Sequence, residues 1–182
     1  MTDRLAVALV AVDAANAADP KGEAGLYAQR MTAELVRLEP RASEVLQIAC
    51  RGQHVERWLL PRADFAIGKA GYLAWRREQG RRHAARVAGI MAAAGYGPQD
   101  CDRVAVLLRK EGIKRDAEVQ ALEDVICFVF LRWYFGPFTE GKDPAAVLDI
   151  VAKTAGKMSA AARERVLVEF SLPERLAAAF RR

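Results

Sequence analysis

Two histidines, His54 and His83, are the only imidazoles of this 182-residue chain, and each lies in a segment of helical period that also carries arginines. Two carboxylates, Glu111 and Asp124, sit inside apolar helical patterns further on. Imidazole and carboxylate are the side chains a hard or borderline divalent ion takes when thiolates are absent, and they are also the common general acids and bases. These four residues are therefore read as a metal or acid–base site. A cysteine nucleophile is a weaker reading. Cys50 lies one helical turn before His54, but apolar surroundings raise a thiol pKa rather than lower it.

Helical wheels show which side chains share a face with these groups. Tyr72, Arg76, Gln79, His83 and Val87 fall in one stripe, so His83 shares its face with a cation and an aromatic ring. His54 lines up with Gln47, Cys50, Arg57 and Trp58, while Asp124 lies with Gln120, Cys127, Phe128 and Leu131. A carboxylate on such a face is costly to bury unless an arginine, a metal or hydrogen bonds compensate it. Plainer readings stand beside the site: Asp124 bridging to Arg57 or Arg76, and Glu111 as a solvated helix end near Lys114. In the run Arg76, Arg77, Arg81, Arg82 and Arg86 the charges wrap around the helix, and Arg76 is the member best placed to reach a ligand.

The elements that must position these groups are all helical, since no stretch alternates apolar and polar residues long enough to suggest a sheet. A first amphipathic helix ends at Asp19-Pro20, and a second spans about Glu23 to Leu38. A third, central one starts after the N-cap Ser43 and runs to Trp58. The fourth, about Ala70 to Ala94, is closed by Gly95-Tyr96-Gly97-Pro98. A fifth covers about Gln99 to Glu111 and a sixth about Ala117 to Phe135. Asp143-Pro144, Ser159 and Pro173 open the last three. The expected fold is an all-α, compact, single-domain bundle of about seven to nine helices over residues 1–182, with no evident linker.

The apolar fraction of 52% can fill a core without disulfides, and Cys50, Cys101 and Cys127 form no C-x-x-C pair, so they read as core residues in a reducing compartment. The segment from Arg4 to Ala17 imitates a short secretory signal, but Asp3 and Asp13 flank it and its apolar residues keep helical spacing. A soluble, cytoplasmic protein without a membrane span is expected. The net charge of +5 favours an anionic partner. No P-loop, dinucleotide fingerprint or G-x-S-x-G elbow is present.

The segments Asp13-Ala-Ala-Asn16-Ala-Ala-Asp19-Pro20, Tyr27-Ala-Gln-Arg-Met31, Gln53-His54-Val-Glu-Arg57-Trp58, Gly71-Tyr72-Leu-Ala-Trp75-Arg76 and Gln120-Ala-Leu-Glu-Asp-Val125 resemble the family called domain of unknown function 4202. The resemblance covers roughly residues 5–160, leaving 159–182 as a helical appendage. The order of candidate ligands is also similar to that of HD-domain metal-dependent phosphohydrolases, where a His-Asp doublet, further histidines and a late aspartate hold metal. Here Gln53-His54 occupies the doublet region, though Val55 stands where the doublet's aspartate would be, and Glu23 or Gln29 would have to supply an upstream ligand. That likeness implies one divalent ion (manganese, iron, zinc or magnesium) on His54, His83 and Asp124, with Glu111 as ligand or base. Arg57, Arg76, Lys110 and Lys114 would then face the phosphate of a small phosphorylated or nucleotide substrate. The alternative is a non-catalytic module that binds an anionic ligand or RNA through Arg57, Arg76, Arg81 and Lys114, with Trp58, Tyr72 and Trp75 available for stacking.

Overall fold

A computed structural model describes residues 3–181, and among them every regular element is helical. The chain packs as two compact units, Met1–Glu111 and Gly112–Arg182. No shift in composition marks the boundary between them. No helix is long and apolar enough to cross a membrane among the described residues.

The first unit holds α1 (Arg4–Ala17), α2 (Glu23–Leu38), α3 (Glu44–Arg51), α4 (Lys69–Ala93) and α5 (Pro98–Arg109). The Asp3 carboxylate accepts from the amides of Leu5 and Ala6, and Ser43 Oγ accepts from the Leu46 amide, which is the cap expected at Ser43. Short α3 is the hub: it packs on α1, α2 and α5, and Val45, Leu46, Ile48, Ala49 and Cys50 are all buried. Arg51 ties the bundle at its edge, donating to both Asp13 oxygens at 2.6 and 2.8 Å and to Thr32 Oγ1 at 3.1 Å.

The helix expected to reach Trp58 stops seven residues short, at Arg51. Gly52 is the C-cap, and it packs closely on α4, since a Cβ there would meet Val87 Cγ2 at 2.6 Å. The glycine permits that close approach, and the chain then leaves the helical path. Turns carry it to Glu56, held in the left-handed region at φ 53°, and into a 3₁₀ turn at Arg57–Leu59. At the other end of the unit, Gly80 of α4 faces α5 closely, its Cβ position lying 3.3 Å from the Leu108 carbonyl oxygen. That contact sets the end of α5 against the middle of α4.

The second unit holds α6 (Ala117–Val129), a π-helical turn (Phe130–Tyr134), α7 (Phe135–Thr139), α8 (Pro144–Lys157), α9 (Ala160–Glu169) and α10 (Glu174–Ala177). The expected end of the sixth helix at Phe135 is replaced by this π turn and its continuation. Pro137 has no amide hydrogen to continue an α ladder, and the ring of Phe130 packs edge-on against Phe135 and Phe138. Asp143 and Ser159 cap α8 and α9 as expected.

The junction between α8 and α9 absorbs two of the residues assigned to chemistry. Asp124 Oδ1 accepts from the Ser159 amide at 2.8 Å and from Gln120 Nε2 at 2.9 Å. Lys114 Nζ donates to the Met158 carbonyl at 2.5 Å, beside Arg163, which donates to the same oxygen at 3.0 Å. Asp124→Ala strands a backbone amide at this turn and is expected to cost about 1–2 kcal/mol, with faster hydrogen exchange confined to residues near Ser159. Exchange rates there equal to wild type would contradict this structural role.

Candidate functional site

The first unit gathers His54, Arg57, Arg76, Gln79, His83 and Lys110. α4 supplies Arg76, Gln79 and His83 from one stripe, the 3₁₀ turn supplies Arg57, and the close α4–α5 packing brings in Lys110. Glu56, immediately before Arg57, and Lys110 both hold positive φ, of 53° and 58°. Such a conformation costs a non-glycine residue of order 1 kcal/mol and is found preferentially at functional sites.

The imidazole of His54 stacks on the ring of Tyr27, with centroids 3.6 Å apart and planes 10° from parallel. The His83 ring centroid lies 6.5 Å from that of His54. The Arg57 guanidinium lies over the Trp75 ring, 4.5 Å from its centroid. Arg76 Nη1 lies 3.3 Å from Tyr72 Oη as its donor. The floor is fastened by backbone: Gln79 Nε2 donates to the carbonyls of Arg57 at 2.9 Å and Leu60 at 3.2 Å, and Trp75 Nε1 donates to Leu60 at 2.9 Å.

Electrostatics follow from what is missing. Among the described residues neither Arg57 nor Arg76 pairs with a carboxylate, whereas Arg81 and Arg82 are both held by Glu78, and Arg86 by Glu56. Burial, then the charge of Arg57, pushes His83 down to about 4. Burial pushes His54 well below the ordinary histidine range, with Arg57, His83, Arg76 and Lys110 adding to the effect. Burial and the neighbouring Arg76 lower even the Arg57 guanidinium. Both rings are therefore neutral at pH 7, each with one donor and one acceptor nitrogen, in a field that favours an anion.

His83 thus carries a folded pKa below the unfolded value of 6.5. As pH falls the unfolded chain takes up this proton first, so stability is whole above pH 6.5 and is lost as pH drops toward 4. The loss has a limiting slope of roughly 1.4 kcal/mol per pH unit per histidine. Urea unfolding between pH 5 and 7 is expected to show this slope in the wild type, and a shallower one in His83→Gln. Parallel curves would remove His83 from the account.

The remaining sequence candidates lie differently. Glu111 is exposed and paired with Arg109 at 2.7 Å, which holds its carboxyl below the usual range. α5 ends at Arg109 and Lys110 turns left-handed, so Glu111 leaves the helical stripe on which it was placed. Asp124 and Lys114 belong to the α8–α9 junction. Among the described residues no group of three or more His, Cys, Asp or Glu side chains could hold a metal ion. Two imidazoles without a carboxylate do not fit a divalent ion, whose protein sites ordinarily supply three or more ligands. Cys50 is buried and its thiol pKa is pushed up by that burial, which suits a core residue.

Tyr27 and Gln79 are the site members that the sequence assignment left out. Gln79 was visible in the α4 stripe; Tyr27 offers only its place one turn before Met31 on the buried face of α2.

A family model described as domain of unknown function (DUF4202) matches residues 6–179. No curated protein and no solved structure matches the chain.

Proposed function

The chain belongs to the domain of unknown function DUF4202 family, and from the site of its first unit we propose that it binds a small phosphorylated molecule there. The observation that carries this reading is the pair of guanidiniums, Arg57 and Arg76, set beside two neutral imidazoles with no carboxylate partner among the described residues. Guanidinium forks match phosphate oxygens in pairs, and a half-buried site strengthens those bonds. Lys110 adds positive charge near both histidines, whose pKa values it helps to lower.

A phosphohydrolase is the second reading, favoured by the two imidazoles beside the anion site. An attacking water would form a new phosphorus–oxygen bond and give its proton to one neutral imidazole as the phosphorus–oxygen bond to the leaving group breaks, and the resulting imidazolium would pass that proton to the leaving oxygen. Both readings take the same class of ligand, a small phosphorylated molecule. The RNA-binding alternative is weakened because Arg81, Arg82 and Arg86 are matched by Glu78 and Glu56, leaving no long phosphate-tracking stripe on α4. A cytoplasmic location is proposed on the three free cysteines.

Calorimetric titration of inorganic phosphate into the protein, with and without EDTA, tests the first reading. Saturable one-to-one binding that survives EDTA and is weakened in Arg76→Gln is expected. Binding that requires an added divalent ion would restore a metal-assisted site, and no binding would remove the anion site.

A further inference from the structure

Several atoms of the site are unsuited to phosphate. Gln79 is 2% exposed, and its Nε2 is committed to two backbone carbonyls, those of Arg57 and Leu60. Both are acceptors, so the amide cannot be flipped, and Oε1 is left buried with no hydrogen-bond partner among the described residues. Gln53, next to His54 in the chain and 7% exposed, leaves its Oε1 in the same condition. Neither ring nitrogen of His83 has a well-aligned partner, although the Val55 backbone approaches closely enough to favour its protonated form.

Buried polar atoms are nearly always satisfied, so each such atom calls for a partner from solvent or ligand. A phosphate dianion offers acceptor oxygens and would repel amide oxygens. The cations of Arg57 and Arg76 suit one end of a ligand; the acceptor of Gln79 suits a different end, one that carries a hydrogen-bond donor. Gln79 stands one turn from both Arg76 and His83 on α4, and its amide closes on the Arg57 backbone, so its free oxygen belongs to the same cluster as the two cations.

We infer that the site takes a phosphorylated sugar or polyol, with the phosphoryl group on Arg57 and Arg76 and a hydroxyl donating to Gln79 Oε1. This rests on the anion-site reading above and narrows it. The binding needs no covalent step. Fixing the Gln79 amide by two backbone carbonyls makes it a selectivity element, because a ligand without the hydroxyl leaves the buried oxygen as it is and forgoes the bond.

Calorimetry on the full chain with three probes tests the inference: inorganic phosphate, glycerol 3-phosphate, and n-propyl phosphate, which has the same phosphomonoester and no hydroxyl. Glycerol 3-phosphate is expected to bind at least about tenfold tighter than propyl phosphate, and that ratio is expected to collapse toward one in Gln79→Met. Equal affinities in the wild type would overturn the inference and leave the anion site standing. Failure of all three to bind would instead overturn the anion site itself. A ratio that persists in Gln79→Met would overturn the role given to Gln79, and because it compares two ligands on one sample it does not depend on the variant's stability.

Discussion

Arg57→Ala is expected to weaken binding of inorganic phosphate about 100-fold, corresponding to about 3 kcal/mol. Three features of the side chain set this size. Its guanidinium rests on the Trp75 face, so little ordering is needed when an anion arrives. It is only partly exposed and lacks a carboxylate partner among the described residues, so no internal ion pair must break first. Its charge already depresses both histidines, which places it near both rings. Arg57→Lys should recover only part of the affinity, because an ammonium lacks the planar fork and the stacking surface. Titrations of the three proteins at one low ionic strength check the ordering. Wild-type affinity in Arg57→Ala would show that the anion goes elsewhere.

Gly71→Ala is expected to be the most damaging single methyl group in the first unit. A Cβ at residue 71 would lie 1.8 Å from the carbonyl oxygen of Ala66 and 2.6 Å from its carbon. These are backbone atoms, so no rotamer change relieves the clash; either the segment before α4 or the first turn of α4 must move. Arg62 braces that segment, donating to the Phe65 carbonyl at 2.9 Å and to the Ala66 carbonyl at 2.9 Å. A loss of about 3 kcal/mol is expected. It should be accompanied by weaker phosphate binding, since Tyr72 and Trp75 follow on the same helix and the Leu60 carbonyl precedes the displaced segment. Thermal unfolding together with phosphate titration measures both effects. An unchanged midpoint would mean that the loop gives way freely and does not hold the site.

The legible parts of this protein were those written in local chemistry. Ser43, Asp143 and Ser159 each precede a helix they cap, and the caps form as their types require. The stripe of Arg76, Gln79 and His83 was readable because α4 is one uninterrupted helix of 25 residues, over which periodicity projects reliably. Asp124 shows where such reading ends. A carboxylate on that face did need compensation, but the compensating group is the amide of Ser159, 35 residues away, and no spacing rule announces a backbone donor. Glu111 lies off the expected stripe for a smaller reason, since Lys110 turns left-handed just before it. The third helix ends at Arg51 rather than Trp58, and the close approach of Gly52 to Val87 of α4 is a tertiary contact that no spacing announces. The stack of Tyr27 on His54 is likewise a meeting of two elements, and only packing reveals it.

An anion bound between the two guanidiniums would lie beside both imidazoles and perturb them. Because the chain has only two histidines, the imidazole nitrogen-15 and proton signals can be assigned from single replacements and followed during titration with inorganic phosphate at pH 7. Both rings are expected to shift along one saturable curve, and their pKa values are expected to rise toward the ordinary range as bound negative charge offsets Arg57 and Arg76. Saturable phosphate binding that leaves both rings unmoved would contradict the account.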